Sequence, residues 1–142
     1  MEFKKRFNEI LQQSGKTQVE IAKALNVTKQ CVNDYKTGKS VPSIETLYAL
    51  CKYLDVSSDY LLGLTELHTE DPLHPVPPFD KRLREILTEY NTSQGKLIRE
   101  LPVSASVLYY WLSGKRQPTI PMLIKLAEYF DCSVDYLIGR IK

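Results

Sequence analysis

Phe3, Phe7, Ile10 and Leu11 recur at the three- and four-residue intervals of a single helix face, and Phe79, Leu83, Ile86 and Leu87 repeat that stripe further along the chain. Gly15 marks the end of the first stripe. Thr17-Gln-Val-Glu20 then has the form of a capping box, in which the Thr hydroxyl and the Glu carboxylate satisfy backbone amides at a helix start. It opens a short second helix carrying Ile21, Ala22 and Leu25. The segment from Leu25 to Thr28 reads as a tight turn, because Asn26 tolerates a left-handed backbone and Thr28 is suited to cap the next helix. A third helix is predicted from about Thr28 to Lys36, stopped by Gly38. Ser43 caps a fourth with Ile44, Leu47, Leu50 and Leu54 on one face, and Ser57 caps a short fifth bearing Tyr60 and Leu61. No segment alternates with period two, so the predicted fold class is all-α.

The same pattern is written twice. Phe3 to Leu64 aligns with Phe79 to Arg140 at a constant offset of 76 residues without a gap, and about 22 of the 62 aligned positions are identical. Two copies of this length are too few for a solenoid, and each is about the smallest chain that buries its own core. We therefore expect two domains, 1–64 and 79–142, joined by a Pro-rich linker, 65–78. In that linker Pro72, Pro75, Pro77 and Pro78 remove amide donors and bias their neighbours to extended backbone. A semi-rigid spacer of this kind reaches roughly 40 Å. His68 and His74 both fall in it without carboxylate or thiolate partners at ligand spacing, and read as solvated.

Composition changes the picture only by exclusion. No stretch approaches a membrane span, and the amino-terminal residues run straight into an amphipathic pattern with no secretory leader, so a cytoplasmic protein is expected. Cys31, Cys51 and Cys132 are odd in number and far apart, which argues for free thiols rather than a metal site. Net charge is only +2, yet residues 65–78 contain three acids and no base, so each folded copy is more basic than the total suggests.

The string Thr17-Gln-x-Glu-Ile-Ala-x-x-Leu-Asn-Val-Thr28, followed by Val32, Tyr35, Gly38-Lys39, Pro42, Ser43-Ile44 and Asp59-Tyr-Leu-Leu-Gly63, resembles the helix-turn-helix domain of the Cro/C1 (XRE) family of repressors. The resemblance covers nearly all of 3–64 and again 79–140. It implies two tandem five-helix, lambda repressor-like domains and a sequence-specific regulator of transcription, a repressor, whose partner is operator duplex DNA. No cofactor, metal or small-molecule ligand is expected.

Helical geometry divides the third helix into two sides. Thr28, Val32 and Tyr35 lie within about 60° of one another, while Gln30, Asn33, Asp34 and Thr37 cluster opposite with Lys29 beside them. Gln and Asn make bidentate contacts to adenine, Lys reaches guanine acceptors, and Asp accepts from cytosine N4 even though it repels phosphate. Register must come from backbone contacts. Thr37, Gly38 and Lys39 follow the third helix and are placed to clasp a strand, Gly38 doubling as a helix C-cap. The family resemblance implies that Gln18 touches phosphate or steadies the third helix. The candidate DNA-contacting residues of the first copy are thus Gln18, Thr28, Lys29, Gln30, Asn33, Asp34, Thr37 and Lys39.

The second copy departs at the same surface. Its candidate set is Gln94, Ser104, Ala105, Ser106, Tyr109, Tyr110, Lys115 and Arg116, with Val107 alongside. Glu20 becomes Lys96, Val19 becomes Gly95, Ala22 becomes Ile98 and Asn26 becomes Pro102, so a less regular second helix and turn are expected. Its third helix fits two alternatives: contact with thymine methyls and sugars, or a protein–protein patch that pairs two chains as a homodimer. A protein-assembly role for both copies is the rival to DNA binding. An enzyme is the poorest fit, because no cluster combines nucleophile, base and orienting group.

Overall fold

The computed structural model describes residues 2–66 and 74–141. The chain divides into two compact units, Met1–Asp71 and Pro72–Lys142. The first contains α1 (Glu2–Ser14), α2 (Gln18–Leu25), α3 (Lys29–Thr37), α4 (Ile44–Leu54) and α5 (Ser58–Leu61). The second contains α6 (Phe79–Glu89), α7 (Gln94–Glu100), α8 (Ala105–Ser113), α9 (Ile120–Phe130) and α10 (Val134–Ile138). Among the described residues there is no strand, and no helix is long and apolar enough to cross a membrane.

Local chemistry sets the helix starts. The hydroxyls of Thr17, Thr28, Ser43 and Ser57 accept hydrogen bonds from the amides of Glu20, Cys31, Thr46 and Tyr60 at 3.0–3.2 Å. Ser93, Ser104, Thr119 and Ser133 do the same in the second unit. Each such cap is worth about 1 kcal/mol. Asn26 takes the left-handed conformation (φ 57°) and Gly38 ends α3 at φ 81°. Thr28 shares the angular sector of Val32 and Tyr35 but is exposed, because its hydroxyl turns back on the Cys31 amide instead of entering the core.

Phe3, Phe7, Val32, Tyr35, Leu47 and Leu50 are buried together in the first unit. The rings of Phe3 and Phe7 stack at 5.4 Å, and Tyr35 meets them edge-on at 6.1 and 6.2 Å. Leu11, Leu25 and Leu54, read from spacing as core, are only half-buried. In the second unit Leu83, Leu108 and Trp111 occupy the positions of Phe7, Val32 and Tyr35. Burial pushes the Tyr35 phenol up, and Cys31 adds to the shift, so it remains a neutral hydroxyl.

One arginine closes each unit. Arg6 is buried, donates from Nη1 to the carbonyls of Tyr60 (2.7 Å) and Thr65 (3.1 Å), and lies 4.1 Å from the centroid of the Tyr60 ring. Its aligned counterpart Arg82 donates from Nη2 to the Tyr136 carbonyl at 2.6 Å and lies 4.9 Å from the Tyr136 ring. These contacts tie the first helix of each unit to its last.

They also shorten the linker expected over 65–78. Thr65 is bonded by Arg6, and Glu66 pairs with Arg6 Nη2 at 3.1 Å. On the far side the His74 amide donates to the Arg140 carbonyl at 2.8 Å, and Pro77 packs so closely that a Cβ on Gly139 would meet its ring at 2.8 Å. The span between Glu66 and His74 is at most about 26–29 Å when extended, against the roughly 40 Å of a free 65–78 segment. His68 and Pro72 lie outside the described residues.

Candidate nucleic-acid interface

The left-handed Asn26 reverses the chain between α2 and α3, and the Val27 amide donates to the Ala22 carbonyl at 3.0 Å. With Val32 and Tyr35 locked into the core, the rest of α3 is presented outward. Lys29, Gln30 and Thr37 are exposed, whereas Asn33 and Asp34 are half-buried. Gln30 Nε2 donates to Asp34 Oδ1 at 3.0 Å, one helical turn on. That bond restrains Gln30 and still leaves one N–H and the amide oxygen for a partner. Gln18 stands at the first position of α2, half-buried.

The clasp after α3 is organised around one backbone oxygen. The Asp34 carbonyl accepts from the Lys39 amide at 2.9 Å, the Ser40 amide at 3.3 Å and the Thr37 hydroxyl at 3.4 Å. Lys39 is thereby held just beyond the helix end with its side chain exposed. Spacing alone did not reveal Asn8, whose Nδ2 donates to the Lys36 carbonyl at 2.9 Å and pins the end of α3 to α1. Its aligned residue Arg84 bonds the matching Leu112 carbonyl at 2.8 Å. Only the alignment of polar residues at these two positions hinted at the role.

The second unit copies this scaffold with other side chains on it. The Tyr110 carbonyl accepts from the Lys115 amide at 3.0 Å, the Arg116 amide at 3.2 Å and the Ser113 hydroxyl at 3.2 Å. Ser104 caps α8 through the Val107 amide at 3.1 Å, and Gln94 is exposed at the start of α7. Ala105 and Ser106 are exposed, Val107 is 38% and Tyr109 59% exposed, and Tyr110 is half-buried. The two tyrosine rings meet at 6.0 Å, with Lys115 Nζ 5.8 Å from the first and Arg116 Cζ 4.9 Å from the second. The turn is the less regular one expected: α7 ends in extended backbone at Leu101 (φ −117°) ahead of Pro102.

Cys31, Cys51 and Cys132 are not joined in disulfides, and among the described residues no group of three His, Cys, Asp or Glu is placed to hold a metal ion.

Comparison with known proteins agrees with this geometry. The Helix-turn-helix family model matches residues 8–61 and again 83–137. The HTH-type transcriptional regulator ImmR of Bacillus subtilis (strain 168) is 37% identical over 67 residues, covering 47% of this chain and 53% of that protein. The HTH-type transcriptional activator BcrR of Enterococcus faecalis is 39% identical over 67 residues, covering 44% of this chain and 33% of its own length. The chain thus spans about half or less of the length of these relatives. A crystal structure of a transcriptional regulator from Listeria innocua covers 89% of this chain and 92% of its own at 22% identity, with a TM-score of 0.43. Two matches to one family model, each on a unit with capped helices and a left-handed or extended turn before its third helix, place the chain in the helix-turn-helix family of the Cro/C1 (XRE) type.

Proposed function

We propose that this chain is a sequence-specific, duplex-DNA-binding regulator of transcription that acts on the nucleoid in the cytoplasm by occupying an operator, as a repressor does. The observation that carries this reading is α3: one side is locked in the core, and the other presents Lys29, Gln30, Asn33 and Asp34 as a continuous hydrogen-bonding surface on a helix sized for the major groove. Thr28, Gln18, Thr37 and Lys39 flank it where backbone phosphates would fix register. Base reading is led by the first unit, and Gln94, Ser104 and the α8 surface contribute from the second.

Selection of bound fragments from random duplex DNA tests the proposal. A preferred sequence should emerge, and on it Gln30→Ala or Asn33→Ala should cost about 1–3 kcal/mol while changing binding to random duplex little. Lys39→Ala should weaken both alike. An equal loss on both duplexes for Gln30→Ala would demote that side chain to a positioning role.

A second reading is favoured by the exposure of Val107 and Tyr109, which makes α8 a surface for pairing two chains. The mass of the wild-type chain and of Tyr109→Ser in solution decides it: a dimer that the substitution dissociates assigns α8 to assembly, with two first units left to read a palindrome. A monomer returns α8 to DNA. One chain would then place its two units on adjacent half-sites about 34–36 Å apart only with the units' own width added to the short linker.

A further inference from the structure

We infer that a basic cleft in the second unit, lined by Arg84, Lys96 and Arg99, grips the sugar–phosphate backbone of duplex DNA and adds sequence-independent affinity. This rests on the DNA-binding reading above and assigns residues that lie outside the helix-turn-helix reading surface. The cleft has a volume of about 640 Å³. Arg84 enters from α6 and Lys96 and Arg99 from α7, Leu87 and Leu112 also line the cleft, and among the described residues no acid lines it.

The first unit lacks this set of charges. At the aligned positions it carries Asn8, Glu20 and Lys23, so three positive charges in one unit replace a formally neutral trio in the other. The three cations are also free to act on a partner. Among the described residues none of them forms an ion pair, and Lys96 and Arg99 are exposed. The acid best placed to neutralise Lys96 is Glu100, one turn along α7, and its carboxylate accepts from the Tyr129 hydroxyl at 2.5 Å. Arg84 is held by its bond to the Leu112 carbonyl, so its charge is fixed near the end of α8, from which Lys115 and Arg116 continue. Three cations in a cleft that no acid lines, with Lys115 and Arg116 beyond the end of the neighbouring helix, suit a polyanion with a charge every ~1.7 Å of duplex axis.

The experiment uses the full chain and the double variant Lys96→Ala/Arg99→Ala, both positions being exposed, with circular dichroism to verify the fold. Affinity is measured on the selected duplex and on random duplex between about 50 and 200 mM salt. The variant should lose about tenfold on both duplexes, its slope of log affinity against log salt should be shallower by about 1–2, and the ratio between duplexes should be unchanged. The exchange Lys96→Arg/Arg99→Lys should keep the wild-type slope. An unchanged slope, or a loss confined to the selected duplex, overturns the inference. If inorganic phosphate raises the thermal midpoint of the wild type but not of the variant while the DNA slope is unaltered, the cleft belongs to a free anion and the inference also fails. A wild type that prefers no sequence, yet binds random duplex with a slope the variant loses, refutes the proposed sequence reading while upholding the cleft.

Discussion

In each unit the first helix carries an arginine that clasps the last helix and, two residues on, a polar side chain that holds the end of the third. Arg6 and Asn8 do this in the first unit, Arg82 and Arg84 in the second, on matching carbonyls. The carbonyls of Asp34 and Tyr110 likewise organise the same clasp. Against that shared frame the outward side chains differ sharply: Asn33, Asp34 and Glu20 on one unit, Tyr109, Tyr110 and Lys96 on the other. The frame is made by backbone acceptors and side-chain donors from the first helix, which any residue on the far side of the third helix leaves untouched. Surface chemistry is therefore free to diverge, and under the proposed function the two units would make different contacts with the same duplex.

The largest effect that would break the comparison is loss of one core. Phe7 is fully buried against Phe3 and Tyr35, and Phe7→Ala should cost about 3–5 kcal/mol, most of what a unit of this size holds. The first unit should unfold. Trp111, the single tryptophan, is buried in the second unit and reports on that unit alone. Its fluorescence transition in denaturant should keep its midpoint while the helical signal drops. A shifted Trp111 midpoint would show that the units fold as one.

Next in size is the arginine clasp. Arg6→Ala and Arg82→Ala should each cost about 2 kcal/mol, through lost charge-assisted bonds and lost packing of a buried stem. The comparison sharpens at Thr65 and Glu66, both of which Arg6 contacts beyond the last helix of its unit. Arg6→Ala should therefore speed proteolytic cleavage after residue 66 even at temperatures where the unit stays folded. Equal resistance in both variants would mean that the segment does not depend on this contact.

Much of the fold was legible because it is written locally. A cap needs one hydroxyl and an amide three residues on, and all four predicted in the first copy form. The stripes and the turn at Asn26 are equally local. The clasps were not legible, since Arg6 and Tyr60 are 54 residues apart and nothing in their spacing joins them. Half-burial of Leu11, Leu25 and Leu54 has the same origin: periodicity names a face, but neighbouring elements decide how much of it is covered. At the candidate interface, the polarity of α3 could be read from helical angles. The Gln30–Asp34 bond, the cations over Tyr109 and Tyr110, and the basic cleft needed side chains placed in space.

Smaller still is the cap of each third helix. Thr28→Ala and Ser104→Ala should each lower stability by about 1 kcal/mol, seen as a shifted denaturant midpoint with unchanged slope. Similar costs are expected because the two hydroxyls accept from their amides at the same 3.1 Å. A markedly larger loss for Ser104→Ala would show that the irregular turn at Leu101 and Pro102 leans on its cap more than Asn26 does.

The smallest stability effect carries the sharpest test of surface chemistry. Asp34→Ala removes a hydrogen bond one turn along an exposed helix face, worth about 0.2–0.5 kcal/mol to the fold. Under the proposed DNA reading the same carboxylate would act in two directions. It repels phosphate, so its removal should strengthen binding to random duplex by about two- to threefold at low salt. It also restrains Gln30, so its removal returns rotamer freedom that must be lost again at the base edge, which offsets the gain on the selected duplex. The ratio of selected to random affinity should therefore fall. Tyr110→Ala, at the aligned position, should leave that ratio unchanged, since Tyr110 has no amide partner on its helix surface comparable to Gln30. Parallel titrations of the two variants on both duplexes decide the matter. An equal rise on both for Asp34→Ala would show that Asp34 acts only as a charge and that Gln30 reads its base without being held.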